Sequence, residues 1–176
     1  HLVSGKTPVD IIVTPIVSIA AGAVVAYVVG PYIAIFTEWL GNLININVDK
    51  HPFIGGIVIS VSMGMFLTLP ISSAAIGIML GLSGLASGAA TIGCCCQMVG
   101  FAVMSFKENK VGGLISQGIG TSMLQMPNII RHPQIWIPPI LSSAILAPVS
   151  TMVFKMVSNP VGSGMGTSGL VGQFSA

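Results

Sequence analysis

The sequence predicts an all-α fold: a polytopic transmembrane helical bundle with Pro-broken or re-entrant segments and an internal, inverted repeat. Three observations predict it. Residues 52–106 form a run of 55 with no ionisable side chain except three cysteines. Six Lys or Arg and four Asp or Glu are spread over 176 residues, 6% charged against roughly 25% in a soluble domain. Proline breaks the apolar stretches at Gly30-Pro31, Pro70, Pro127 and Pro138-Pro139. A soluble domain must turn outer faces to water, whereas about 20 apolar residues suffice to span a bilayer. The uncharged run alone therefore holds two or three passes.

The first span is expected over 11–37. Asp10 and Glu38 bracket 27 uncharged residues, about 40 Å of helix, longer than a hydrocarbon core of roughly 30 Å. Pro15 and Gly30-Pro31 are placed to kink or trim it, and Tyr27, Tyr32 and Trp39 suit the headgroup level. Residues 38–52 read as a polar connection, with Asn42, Asn45, Asn47, Asp49, Lys50 and His51 among aliphatic residues, consistent with a short interfacial helix.

A second span, 53–69, stops at Pro70. A third segment, 71–89, carries Gly77, Gly81, Gly84 and Gly88 at spacings of four, three and four, which on one helix would share a face. In lipid such a stripe is a helix-packing face, because close backbone approach holds helices together there; the competing reading is a glycine-lined passage. A fourth segment, 90–106, contains Cys94-Cys95-Cys96 and ends at the charged loop Lys107-Glu108-Asn109-Lys110. Three consecutive cysteines cannot pair conveniently and read as small buried thiols, with a metal or redox role as the alternative. The next span, 111–130, has a polar load of Ser116, Gln117, Thr121, Ser122, Gln125 and Asn128, so it cannot face lipid all round. Arg131-His132-Pro133 closes it. The last clear span is 135–154, with Pro138-Pro139 and Pro148, and a Gly/Ser-rich tail follows.

Two internal similarities suggest a repeat with pieces at about 53–89 and 111–172. Gly55-Gly56 and Leu67-Thr68-Leu69-Pro70 align with Gly112-Gly113 and Leu124-Gln125-Met126-Pro127 at a shift of 57. Gly81-Leu82-Ser83-Gly84-Leu85-Ala86 aligns with Gly166-Thr167-Ser168-Gly169-Leu170-Val171 at a shift of 85. Full crossings at 53–69, 71–89 and 90–106 would make the copies inverted, as in transporters; a re-entrant 71–89 would make them parallel. The distribution of lysines then groups Lys6, Lys107, Lys110 and Lys155 on one side, and Lys50 and Arg131 on the other with Glu38 and Asp49.

The candidate chemistry is binding. A proline frees backbone groups, and in a membrane such a break persists only where protein or a wet cavity surrounds it. Thr68, Ser72 and Ser73 flank Pro70, and Gln125 and Asn128 flank Pro127. Hydroxyls and amides at broken helices supply many donors and acceptors and no charge, which suits a neutral polyol or sugar; alternatively the hydroxyls satisfy backbone carbonyls. Gln97, alone in an apolar segment, is an interhelical hydrogen-bonding residue or a ligand contact. Glu38, His51 and His132 read as interfacial or surface groups. No catalytic set, metal-ligand cluster or cofactor motif is present, and a net charge of +2 without a basic cluster gives no reason to expect nucleic acid. The chain begins at His1 without a signal-peptide pattern, so a single membrane domain over 1–176, part of a longer protein, is expected.

Several runs together carry a resemblance: Ser4-Gly5-Lys6-Thr7-Pro8-Val9-Asp10, Met65-Phe66-Leu67-Thr68-Leu69-Pro70-Ile71-Ser72-Ser73-Ala74-Ala75, Gly81-Leu82-Ser83-Gly84-Leu85-Ala86, Ser122-Met123-Leu124-Gln125-Met126-Pro127-Asn128-Ile129, and Gly164-Met165-Gly166-Thr167-Ser168-Gly169-Leu170-Val171-Gly172-Gln173. The chain resembles, nearly end to end, the bacterial phosphotransferase-system (PTS) IIC-like membrane proteins, including the PfoR-type regulators. The resemblance implies a multispan sugar permease of the bacterial inner membrane. A cytosolic IIB partner there carries the phosphoryl group, and a homo-oligomer is expected. The Gly-Ile-Thr-Glu motif of better-known sugar IIC proteins does not occur in this chain, and Glu38 in Thr37-Glu38-Trp39 does not replace it. The expected solute contacts are therefore this chain's own Thr68, Ser72, Ser73, Gln97, Gln125 and Asn128. The alternative is a non-transporting membrane sensor with a permease-like fold.

Overall fold

The computed structural model describes residues 10–176; Lys6 and the first of the resembling runs, up to Val9, lie outside the described residues. The described residues are mostly helical, with one isolated β-bridge and no strand. The chain forms two compact units that part between Thr37 and Glu38.

Helix α1 (Asp10–Lys50) runs past the expected end of the first span. It breaks between Val28 and Gly30, where Gly30-Pro31 removes a backbone donor and crowds the preceding turn. In the unit ending at Thr37, Ile16, Ile19, Val24, Val28, Tyr27 and Tyr32 are all exposed, an apolar surface suited to lipid. The stretch after Glu38 is no separate interfacial helix. Asn47 Nδ2 donates to Leu43 O one turn back at 2.6 Å, and Asn45 reaches across to residues 81–83, donating to Gly81 O and accepting from Ser83 N.

In the second unit, α2 (Pro52–Thr68) and α4 (Gly84–Met104) pack along their lengths and run in the same direction. Their contacts climb both helices together. Gly93 lies against Ser60, Cys94 Sγ donates to Met63 O at 3.5 Å, and Thr68 reaches Gln97. Two parallel helices need a return path. Residues 69–83 provide it, with an extended Leu69, a short α3 (Ser73–Met79) and a turn at 80–83. The expected third span is therefore not one helix, and Gly77, Gly81, Gly84 and Gly88 do not share a face. Gly77 lies in α3 against Pro160 and Ser163, and Gly88 lies in α4 against Met156. Gly81 and Gly84 sit at the break with φ of +57° and +56° and open space where a Cβ would be, a backbone that glycine adopts readily. Close approach also occurs between the two long helices at Gly64 and Gly93: a Cβ on Gly64 would lie 2.7 Å from Gly93 O.

Among the described residues two helices are long and apolar enough to cross a membrane, Gly84–Met104 and Pro133–Val153, or three if the bent pair in α1 forms one span. The first has 67% of its apolar window buried against 28% for the second, which makes α4 the central helix of the unit. Large apolar side chains such as Phe53, Val58, Val99, Val103, Leu141 and Ile145 point outward. That is the surface expected where the solvent is lipid.

After α4 the chain forms a first hairpin, not the expected crossing at 111–130. Helix α5 (Phe106–Ile115) is kinked at Lys110, which has φ +52°, and passes into a π-helical turn, Ser116–Gly120. Gly118 packs on Ala102. Thr121 is extended and reverses the path. The turn Ser122–Gln125 and α6 (Met126–Arg131) then lead back, so that His132 and Ser105 line one cavity. Arg131 consequently lies at the same end as Lys107 and Lys110, not opposite them. Pro127 opens α6 rather than ending a helix.

The 3-10 turn Pro133–Trp136, α7 (Ile137–Pro148) and a second π-helical turn, Val149–Val153, then traverse the unit antiparallel to α2. Trp136 meets Gln97, Ser143 O accepts from Ser60, and Thr151 donates to Pro52 O. Lys155 follows at the Pro52 end, away from Lys107, which corrects the expected grouping of lysines.

Residues 158–174 make a second hairpin from that end. Ser158 bridges Gly84, Ser87 Oγ donates to Asn159 O at 2.7 Å, and α8 (Pro160–Ser163) lies beside α3. The chain turns at Gly166-Thr167-Ser168-Gly169 and returns through α9 (Val171–Phe174), with Gly172 beside Thr91. Gly166 and Gly169 have φ of +53° and +54°, matching Gly81 and Gly84. The two hairpin tips touch: Ser168 Oγ donates to Gly120 O at 2.9 Å.

Candidate solute site

Several buried polar side chains meet around Gln97. Thr68 ends α2, and Gln97 lies on the parallel stretch of α4 beside it. The indole of Trp136 comes from the start of the antiparallel span, and Ser122 from the turn of the first hairpin. Thr68, Gln97 and Ser122 have no exposed surface. Gln97 Oε1 accepts from Trp136 Nε1 at 3.0 Å and from Thr68 Oγ1 at 3.4 Å. Thr68 Oγ1 and Ser122 Oγ are 3.0 Å apart. Gln97 Nε2 is buried and has no partner among the described residues.

A second set of amides runs along the first hairpin. Gln125 Nε2 donates to Gln117 Oε1 at 2.9 Å, and Asn128 Nδ2 donates to Gln125 Oε1 at 2.9 Å. Gln125 and Ser122 belong to one turn, so the two sets are joined through it. Gln125 and Asn128 also line an open cavity of about 420 Å³ with Phe101, Ser105, Glu108 and His132, a volume within the range of small-molecule sites. The hydrogen-bonded side chains of both sets are neutral.

Of the sequence candidates, Thr68 and Gln97 touch each other, and Gln125 and Asn128 touch each other. Ser72 and Ser73 are placed elsewhere. Ser72 caps α3 by accepting from Ala75 N, and Ser73 Oγ donates to Gly164 O at 2.6 Å. Both hydroxyls thus serve the backbone, the alternative weighed for them. Gly77, Gly81, Gly84 and Gly88 lie outside the polar sets. Three participants were not singled out from sequence as site residues: Ser122, Trp136 and Gln117. Trp136 had a usable signal, since a buried indole N–H needs an acceptor and Gln97 was the lone amide of its segment. Cys94 lies beneath the second hairpin, its Sγ 3.4 Å from Ser163 O, and all three cysteines are free. Among the described residues no group of three His, Cys, Asp or Glu converges as a metal site would require.

The protein family described as "Phosphotransferase system, EIIC" matches residues 1–176. No curated protein and no solved structure matches the chain.

Proposed function

The chain belongs to the phosphotransferase-system EIIC family, and from that premise we propose that it moves a neutral, hydroxyl-rich solute, a sugar, across the bacterial inner membrane. A permease-type role goes with the family; the sugar and the site are our reading. The observation that carries it is Gln97. A fully buried amide whose oxygen is held by Trp136 and Thr68, and whose nitrogen has no acceptor, is costly to keep without a purpose. An incoming hydroxyl oxygen would accept from that nitrogen. Thr68, Ser122, Gln125 and Asn128 add hydroxyls and amides of the kind that recognise a polyol, and the lack of ionised groups in both polar sets favours an uncharged solute.

Transport requires the site to face each side in turn. The two hairpins approach from opposite ends and touch at Gly120 and Ser168, so separating their tips on one side at a time would expose the Gln97 region alternately. A cytosolic IIB component would hand its phosphoryl group to the sugar as it leaves. An inverted repeat is part of this reading. It is supported by the paired positive-φ glycines and by α4 and α9, which follow them and run in opposite directions.

The test is flux. The protein reconstituted in proteoliposomes is offered labelled D-glucose, D-mannitol and D-galactitol. Saturable uptake of one of them, weakened by Gln125→Ala and Asn128→Ala at unchanged fold, is the expected result. Binding of a sugar without uptake would instead mark a sensor with a permease-like fold.

A further inference from the structure

Only one end of the Gln97 amide is in use. An indole N–H can only donate, so the amide atom 3.0 Å from Trp136 Nε1 is the oxygen, and the nitrogen is the end left without a partner. The open cavity lies just beyond. Phe101 stands one helical turn from Gln97 on the same side of α4, is 2% exposed, and lines the cavity. Two other elements repeat that relation. In the turn Ser122–Gln125, Gln125 lines the cavity while Ser122 reaches Thr68. In the turn Pro133–Trp136, Ile135 lines the cavity while Trp136 bonds Gln97. Three separate elements each place one residue in the cavity and another, deeper, on the Gln97–Thr68 pair.

We propose that this cavity is the aqueous vestibule of the solute site, that the Phe101 ring is the barrier at its floor, and that Gln97 Nε2 is the donor behind it for a solute hydroxyl oxygen. The identity of that solute rests on the permease reading above; the vestibule and its barrier rest on geometry alone. Phe101 suits a barrier because its phenyl ring offers water no hydrogen bond, and it lines the cavity one helical turn from Gln97.

Thiol accessibility tests this without knowing the substrate. In a background of Cys94→Ala, Cys95→Ala and Cys96→Ala, single cysteines are introduced as Asn128→Cys, Gln97→Cys and Val58→Cys. The protein in nanodiscs is treated with the water-soluble trimethylammonium-ethyl methanethiosulfonate. Asn128→Cys, in the cavity, should react fast, and Val58→Cys, on the outward apolar surface, should not react. Gln97→Cys should react slowly, and about tenfold faster once Phe101→Ala is added, because each 1.4 kcal/mol taken from closure is a factor of ten. Where Phe101→Ala does not fold, as judged by thermal unfolding, Phe101→Leu should give a smaller acceleration of the same sign. A rate at Gln97→Cys that neither Phe101 variant changes, or no reaction in any background, overturns the proposal. D-Glucose and D-mannitol are then added as protectants. Acceleration without protection by either upholds the vestibule and counts against the sugar reading; protection without acceleration removes Phe101 as the barrier.

Discussion

Trp136→Phe removes the indole N–H that Gln97 Oε1 accepts at 3.0 Å and keeps most of the aromatic volume. What remains for the oxygen is Thr68 Oγ1 at 3.4 Å, a hydroxyl also engaged with Ser122 at 3.0 Å. Leaving a buried acceptor short costs about 1–3 kcal/mol in soluble proteins, while side-chain hydrogen bonds between membrane helices average about 0.6 and reach about 1.7 kcal/mol. Gln97 is fully buried and its nitrogen already lacks a partner, so the amide cannot recover the bond by turning over. A loss near the upper membrane value, about 1.5 kcal/mol, is expected. Gln97→Leu should cost a similar amount by stranding the indole. The double variant removes both partners and should be little worse than either single one, a coupling of about 1 kcal/mol. Unfolding of the protein in mixed micelles measures the cycle, and proteoliposome uptake is measured beside it. The double variant should lose little stability beyond either single one and should still lack uptake, because the donor to the solute is gone. Additive stability losses would refute the energetic role of the 3.0 Å contact, and recovered uptake would refute the functional role of the amide.

Three further outcomes follow from the packing. Gly93→Ala drives a Cβ into the Ser60 backbone and should destabilise by about 1–3 kcal/mol or more; Gly81→Ala, with open space but φ +57°, should cost about 1–2 kcal/mol from backbone strain alone, and parallel unfolding curves that reverse this order would contradict the assigned contacts. Gly120→Cys with Ser168→Cys, in the cysteine-free background, should form a disulfide on oxidation, detectable by mass spectrometry, and should stop uptake until reductant is added; uptake unaffected by the cross-link would show that the tips need not part. Cysteines at Lys110 and Arg131 should label from one side of the membrane and one at Lys50 from the other, whereas opposite labelling of Lys110 and Arg131 would make 111–131 a crossing and remove the first hairpin.

Much of the architecture was legible because burial in lipid constrains composition. The uncharged run at 52–106 carries α2, the return path and the central α4, and Thr68-Leu69-Pro70 marks the end of a helix because proline cannot continue the ladder. Gln97 stood out as a lone amide among apolar residues. The glycines were ambiguous for a physical reason: spacings of four, three and four fit a helix face, yet glycine is also the residue that enters φ > 0 without strain. Gly81 and Gly84 took the second option. The polar load of 111–130 excluded a lipid-facing helix, but nothing local in the sequence set the reversal at Thr121, which depends on the seat that α4 offers Gly118. Misjudging that reversal put Arg131 on the wrong side. Trp136 escaped notice because its partner lies 39 residues away in sequence.

The second hairpin also bears on how the protein is made. Along Ala86–Gly93 the central helix presents mostly small residues, Ser87, Gly88, Ala89, Ala90 and Thr91 among them, and Ser87, Gly88 and Thr91 lie against residues 156–172. A ribosome delivers those covering residues well after the helix they cover. Until they arrive, Ser87 lacks the Asn159 carbonyl, Cys94 lacks Ser163, and the return path through α3 lacks the support of Pro160 and Gly164. The nascent bundle must therefore wait half-built in the membrane, its central helix uncapped on one flank. Biogenesis should be the stage most sensitive to damage in this segment, and shortened or stalled chains should be the natural targets of membrane quality-control proteases.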